Sequence, residues 1–324
     1  MTINTFRRTM LATVLASAAS VAFAQGAGFP SKNLTFIVPF AAGSATDQLA
    51  RAIGQSVTEQ TKQPVVVDNK AGGGGQIAAS AAARSAPDGY TVLITTNTTQ
   101  SANPHLYKKL SYDPVKDFVP VTGLGKGGQV LVVRPDAPYK TVADLVAFAK
   151  KNPGKLTFGS GSSSSRVAGE MLKQLAGVDI LHVPYKSNPM ALTDVLGGQI
   201  DFMITDTATG APQVKAGKLR ALGVSTAKRM ALLPDVPTID EAGVKGYEMG
   251  FWFAAYVPAG TPTAVVSRLN ELIVATTLSA PARSYYESSG VEAWSTTSDE
   301  LGKFQAADTV KWGKVVKAAG IEPE

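Results

Sequence analysis

The feature that most constrains this chain is an alternation, kept up along almost its whole length, between short apolar runs and helical periodicity. Leu34 to Phe40 is an apolar run of strand length. It gives way to Ala45–Lys62, where Leu49, Ile53 and Val57 recur every four residues and so line one helix face. Val65–Val67 is the next strand, Gln76–Arg84 an alanine-rich helix and Thr91–Thr95 a third strand. A β-α-β-α-β order predicts a parallel, doubly wound sheet, because parallel strands need a crossover and a helix supplies it.

A second cycle follows. Thr141–Lys151 is a helix opened by a capping box, Thr141-x-x-Asp144. Strands are expected over Leu156–Phe158, Ile180–Val183, Phe202–Thr205 and Leu219–Ser225, with helices over Arg166–Ala176 and Pro189–Leu196. The last quarter returns to long helices, one led by Thr261-Pro262 with Pro at its first position, another opened by Thr297-x-x-Glu300. Between the cycles lie two apolar crossing segments, Val119–Val133 and Phe251–Val257. Two α/β lobes joined by two strand-like crossings describe a hinged clamp. One lobe is then discontinuous, residues 25–125 with 249–324, and the other is 126–248. At roughly 150 residues per domain, 324 residues are enough for two such cores.

Composition removes much chemistry. The chain has no cysteine, which excludes a disulfide scaffold, a thiolate nucleophile, Cys-ligated zinc and any iron–sulfur cluster. Its two histidines, His105 and His182, leave little room for a His-rich metal centre. The N-terminus reads as a signal peptide over residues 1–24: Arg7 and Arg8 are basic, Met10–Ala19 apolar, and Ala22-Phe23-Ala24 is an A-x-A cleavage site. Phe6-Arg7-Arg8-Thr9-Met10-Leu11 also resembles a twin-arginine signal. Without a cysteine at the cleavage point the product is not a lipoprotein, and a periplasmic location is expected. No later stretch reaches the roughly 18 apolar residues a bilayer span needs. The formal charge of +6 falls by two on cleavage, and the remaining bases are scattered, so a nucleic-acid partner is not expected.

Two segments share one design. Phe36 to Asp47 runs strand, small-residue turn, helix; Leu156 to Arg166 does the same in the other lobe. Small residues there let a ligand approach the backbone, and the free N–H groups of each helix start point at it. Such an end carries about half a positive charge and contributes roughly 0.3–1 kcal/mol to binding an anion. Arg166, just inside the second helix, has the fork geometry for a carboxylate, although a helix arginine facing solvent is the commoner case. Other signals are weak. Gly73, Gly75 and Ala78 fit G-x-G-x-x-A, but Asn97 and Thr98 stand where a dinucleotide site wants an acid, so the run reads as a turn and helix start. Asp201 and Asp206 show no paired-carboxylate spacing. His182 reads as a packed histidine, and Trp252 as packing at a crossing strand or a wall of the cleft.

The motifs together resemble the periplasmic receptors of tripartite tricarboxylate transporters, often called Bug-type receptors. The likeness runs from about Pro30 to Gly320. It includes Val38-Pro-Phe-Ala-Ala-Gly-Ser-Ala-Thr-Asp47, Val67-Asp-Asn-Lys-Ala-Gly-Gly-Gly-Gly75, Pro87-Asp-Gly-Tyr-Thr91, Tyr112-Asp-Pro-Val-Lys-Asp-Phe118, Gly159-Ser-Gly-Ser162, Val183-Pro-Tyr-Lys186, Leu196-Gly-Gly-Gln-Ile-Asp201 and Pro258-Ala-Gly-Thr-Pro262.

The resemblance implies a two-lobed class II periplasmic-binding-protein fold that closes on a small organic carboxylate, without catalysis or cofactor, as a monomer that hands its cargo to membrane components of the transporter. It implies that Phe40, Ala41, Ala42, Gly43 and Ser44 hold one carboxylate through backbone amides, often with bridging waters. Ser160, Gly161, Ser162, Ser163, Ser164 and Arg166 would face them, with Thr96, Asn97, Tyr185 and Asp206 as further contacts. The family commonly shows histidine where this chain has Arg166. A second carboxylate clamped by Arg166 would favour a dicarboxylate, linear or aromatic such as terephthalate. The alternatives are a periplasmic sensor for a membrane kinase and an enzyme on the same fold. The tetrapyrrole-pathway deaminase of that architecture needs a cofactor-bearing cysteine that this chain lacks. A transcriptional effector domain would need a DNA-binding helix-turn-helix in place of the export signal.

Overall fold

The computed structural model describes residues 28–324, so the signal-peptide reading lies outside the described residues. The first cycle forms β1 (Leu34–Val38), α1 (Ala45–Thr61), β2 (Val65–Asn69), α2 (Gln76–Ala83) and β3 (Thr91–Thr96). A buried turn at Thr98–Ala102 and the short α3 (Asn103–Leu106) lead to β4 (Phe118–Val133). The second cycle is α4 (Val142–Lys151), β5 (Thr157–Ser160), α5 (Ser163–Ala176), β6 (Leu181–Pro184), α6 (Asn188–Leu196), β7 (Phe202–Asp206), α7 (Thr207–Lys215) and β8 (Arg220–Val224). The chain returns through β9 (Gly250–Pro258), α8 (Thr263–Thr276), α9 (Ala280–Ser289), β10 (Glu292–Ala293) and α10 (Ser298–Ala318).

Both crossing segments are strands, and they pair with each other. Phe118 lies opposite Pro258 and Gly128 opposite Gly250, antiparallel throughout. The strand β4 serves two sheets: its first part joins the order β2-β1-β3-β9-β4, and its last residues join β4-β7-β5-β6 with β8 on their other side. Strands β1, β2 and β3 are parallel, as are β5, β6 and β7, which the helical crossovers require. The Gly123-Leu-Gly-Lys-Gly-Gly128 stretch of β4 lets neighbours come close. A Cβ on Gly127 would stand 2.6 Å from the Phe251 ring, and one on Gly128 2.3 Å from Thr226.

Each sheet is covered on both faces, so its central strands place apolar side chains on both faces rather than on one. Phe36 and Val38 pack against Leu49 and Ile53 of α1, while Ile37 packs on the opposite face with Ala78, Ala82 and Tyr256. In the second sheet Leu131, Val133 and Phe202 face Val167 and Leu172, while Val130, Val132 and Met203 face Leu192 and Val195. Each such fully buried side chain contributes about 1.5–3 kcal/mol. Helix α10 spans the two: Leu301 packs with the first sheet, Trp312 and Val316 with the second. No helix among the described residues is long and apolar enough to cross a membrane.

Candidate functional site

Four helices begin around one cleft between the sheets. The first is α1, entered from β1 through Phe40–Ser44. Gly43 adopts φ +81°, a left-handed conformation glycine takes without strain, and Ser44 caps the helix by accepting from the Asp47 N–H at 3.3 Å. The Asp47 carboxylate does not close the reciprocal bond to Ser44; it reaches one residue further, to the Gly43 N–H at 2.9 Å. Arg51 Nη2 grips Asp47 Oδ1 at 2.9 Å, and Asn69 Nδ2 donates to it and to the Phe40 carbonyl, each at 3.0 Å. Burial alone would push the Asp47 carboxyl up. The bonds from Arg51, Gly43 and Asn69 outweigh that and hold it below its ordinary value.

The second is α5, which begins three residues earlier than its apolar pattern, at Ser163. Ser162 caps it, accepting from the Ser165 N–H at 3.2 Å, and Ser165 donates to the Ile204 carbonyl. Gly161 sits against the start of the third helix, α6, its N–H bonded to Asn188 Oδ1 at 3.0 Å. The fourth, α7, is capped by Asp206, whose Oδ1 accepts from the Thr209 N–H at 2.8 Å and whose Oδ2 accepts from Asn188 Nδ2 at 2.8 Å. Across the cleft Asn97 Nδ2 donates to Ser164 Oγ at 3.1 Å, and Ser163 Oγ donates to Asn103 Oδ1 at 2.8 Å.

Of the residues expected from sequence, Phe40, Ser44, Thr96, Asn97, Ser162, Ser164 and Asp206 line this cleft. The chain adds Ala45, Thr46, Thr98, Gln129, Asn188, Phe251 and Phe253. Gln129 was legible only as a polar residue inside an apolar crossing strand. Phe251 and Phe253 wall the cleft, while Trp252, one residue out of phase on β9, turns to the other face and donates to Asp308 Oδ2 at 2.7 Å. The free volume within the cleft is about 30 Å³, room for a water or two.

Arg166 does not line that cleft. It follows Ser164 by two residues, about 200° round the helix, and its Nη1 pairs with Glu324 Oε1 at 2.7 Å. With Ser160, Gly161, Ser163 and Tyr185 it lines a neighbouring cavity of about 480 Å³, which shares Ser162 with the cleft and reaches Gly73, Tyr107 and Lys186. His182 also borders this cavity, packed on Phe158 at 5.0 Å between ring centroids and bonded to Ser160 Oγ at 2.7 Å. Burial and the Arg166 charge, only partly offset by Glu324, bring its pKa down to about 4. Gly43 borders a third groove formed with Pro189 and Thr209. Ala41 and Ala42 line none of these spaces; the Ala41 carbonyl accepts from the Ser44 N–H and so shapes the turn. No group of three or more metal-ligating side chains is found among the described residues.

Backbone N–H groups and serine hydroxyls at converging helix starts make a site for a small anion. Solved structures carry the same architecture. An R. palustris protein, Rpa4515 with adipate, is 36% identical, with a TM-score of 0.88, over 91% of this chain and 100% of that one. The periplasmic binding protein BugD is 33% identical, with a TM-score of 0.87, over 91% of this chain and 100% of its own. MatC from Rhodopseudomonas palustris with bound malate is 29% identical, with a TM-score of 0.84, over 89% and 100%. A family model described as "Tripartite tricarboxylate transporter family receptor" matches residues 49–321. The chain therefore belongs to the receptor family of the tripartite tricarboxylate transporters, the family of Bug-type periplasmic binding proteins.

Proposed function

We propose that this protein captures a small organic dicarboxylate, linear or aromatic such as terephthalate, in the cleft between its lobes and delivers it to the membrane components of a tripartite tricarboxylate-type transporter. The observation that carries the reading is the convergence of the α1, α5, α6 and α7 starts on one cleft whose lining includes no cationic side chain. The half-charges of the α1, α5 and α6 starts favour an anion without a counter-ion of fixed shape, the α7 start being already capped by the Asp206 carboxylate. A dicarboxylate is further supported by adipate and malate in the two relatives. Arg166 stands beside the shared Ser162, where a long ligand leaving the cleft would meet its guanidinium in exchange for Glu324.

In this reading the receptor is a non-catalytic monomer exported to the periplasm. Its lobes are residues 25–125 with 249–324, and 126–248, with the far end of α10 lying across to the second. A thermal-shift screen of mono- and dicarboxylates tests it. Ligand at a hundred times its Kd stabilises the fold by about 2.7 kcal/mol, a readily seen rise in Tm. Arg166→Ala then weakens dicarboxylates more than monocarboxylates. A panel in which no carboxylate moves Tm refutes the receptor reading, and equal losses for both classes refute the role of Arg166.

A further inference from the structure

The cleft is polarised. At the α1 and α5 starts it offers donors, whereas its floor offers acceptors. Gln129 on β4 and Asp206 at the end of β7 lie directly opposite each other in the antiparallel register, which sets their Cβ atoms roughly 5 Å apart. Both line the cleft and both are buried. Gln129 is 1% exposed, and its Oε1 has no hydrogen-bond partner. Asp206 is the one charged side chain of the lining, and no cation pairs with it among the described residues. Its bonds from Thr209 and Asn188, with a long one from Thr205 Oγ1 at 3.5 Å, occupy only part of what two carboxylate oxygens can accept. An acid in the floor of a carboxylate site repels a ligand that presents only oxygen lone pairs to it, and a buried acceptor left without a donor is costly.

We propose that Gln129 and Asp206 are specificity-determining residues that select a carboxylate carrying an N–H or O–H donor. The ligand's anionic end lies at the helix starts of α1 and α5, and its hydroxyl or ammonium group is received by Asp206 and Gln129 Oε1. This rests on the carboxylate-receptor reading and narrows its substrate class to donor-bearing members, placing plain diacids such as terephthalate below them.

The test is a titration by calorimetry with ligands matched in carbon skeleton: succinate against malate and aspartate, and adipate against 2-aminoadipate. The wild-type protein binds the donor-bearing member of at least one set tenfold or more tighter than the plain diacid. Asp206→Asn keeps a residue able to cap α7, and it narrows that gap from both sides, weakening the donor-bearing ligand and strengthening succinate or adipate. Gln129→Met narrows it without a change of charge. A preference for the hydroxyl over the ammonium member, or the reverse, tells which donor the floor takes. Plain diacids that bind as tightly as their donor-bearing partners overturn the inference and leave the receptor reading standing. So does a preference that survives both substitutions. Failure of every carboxylate to bind overturns both.

Discussion

The turns that open α1 and α5 are built from the same parts, a strand end, a glycine and a capping serine, yet they are held by opposite means. The first is locked within its own lobe. Asp47, 2% exposed, gathers the Gly43 N–H, Asn69 and Arg51 around one inward carboxylate. The second turns its charge into the neighbouring cavity and is held by neighbours: Asn188 on Gly161, Asn103 on Ser163, Asn97 on Ser164 and Glu324 on Arg166. Even their glycines differ in purpose. Gly43 needs its left-handed backbone and has open space beside it, whereas Gly161 needs the space, since a Cβ there would collide with the backbone of Ser187 and Asn188. One turn is thus held from within its own strand–helix unit, and the other largely by contacts from across the cleft.

Removing the lock should show the largest effect. Asp47→Ala removes a buried carboxylate that accepts from the Gly43 N–H, the Asn69 amide and Arg51, for a loss of about 3 kcal/mol read by urea unfolding. A loss near zero would mean that the first turn is not locked from within. Next come the glycines. Gly161→Ala is expected to cost about 2–3 kcal/mol through overpacking against backbone, and Gly43→Ala about 1 kcal/mol through left-handed strain; the reverse order would exchange the two roles. Arg166→Ala should cost less than about 1 kcal/mol, because the Glu324 side chain is 58% exposed. That small loss should fade in high salt.

The smallest effect at neutral pH is that of His182, and it grows on acidification. Its folded pKa of about 4 lies below its ordinary 6.5, so the unfolded chain binds the proton first. Stability is therefore whole above about pH 6.5, falls as pH drops towards 4, and falls no further through this group below that. His182→Gln should flatten the Tm profile across this window; an unchanged slope would place the acid sensitivity elsewhere.

Helix starts were the most legible part of the site, because capping is local chemistry. Thr141 with Asp144 and Thr297 with Glu300 form both bonds of a capping box, as their spacing predicts. Ser44 and Ser162 cap as their positions suggest. Where a neighbour competes, the pattern misleads: Asp47 passes over Ser44 for Gly43, and Thr261 bonds back to the Pro258 carbonyl, so that α8 starts after Pro262. Arg166 was singled out for its charge, but its direction depends on how many residues precede it in the helix, and the start at Ser163 turned it away from Asn97.

The alternation of strand and helix, the two lobes and the capped turns followed from the sequence alone, because hydrophobic period and caps act over a few residues. Which side chains share the cleft was decided only by tertiary structure. Gln129 meets Asp206 through the register of two strands far apart in the chain, and Arg166 meets Glu324 through the path of α10 back across the molecule. Register and helix phase set direction as well as proximity, and neither is written in the spacing of the residues they bring together.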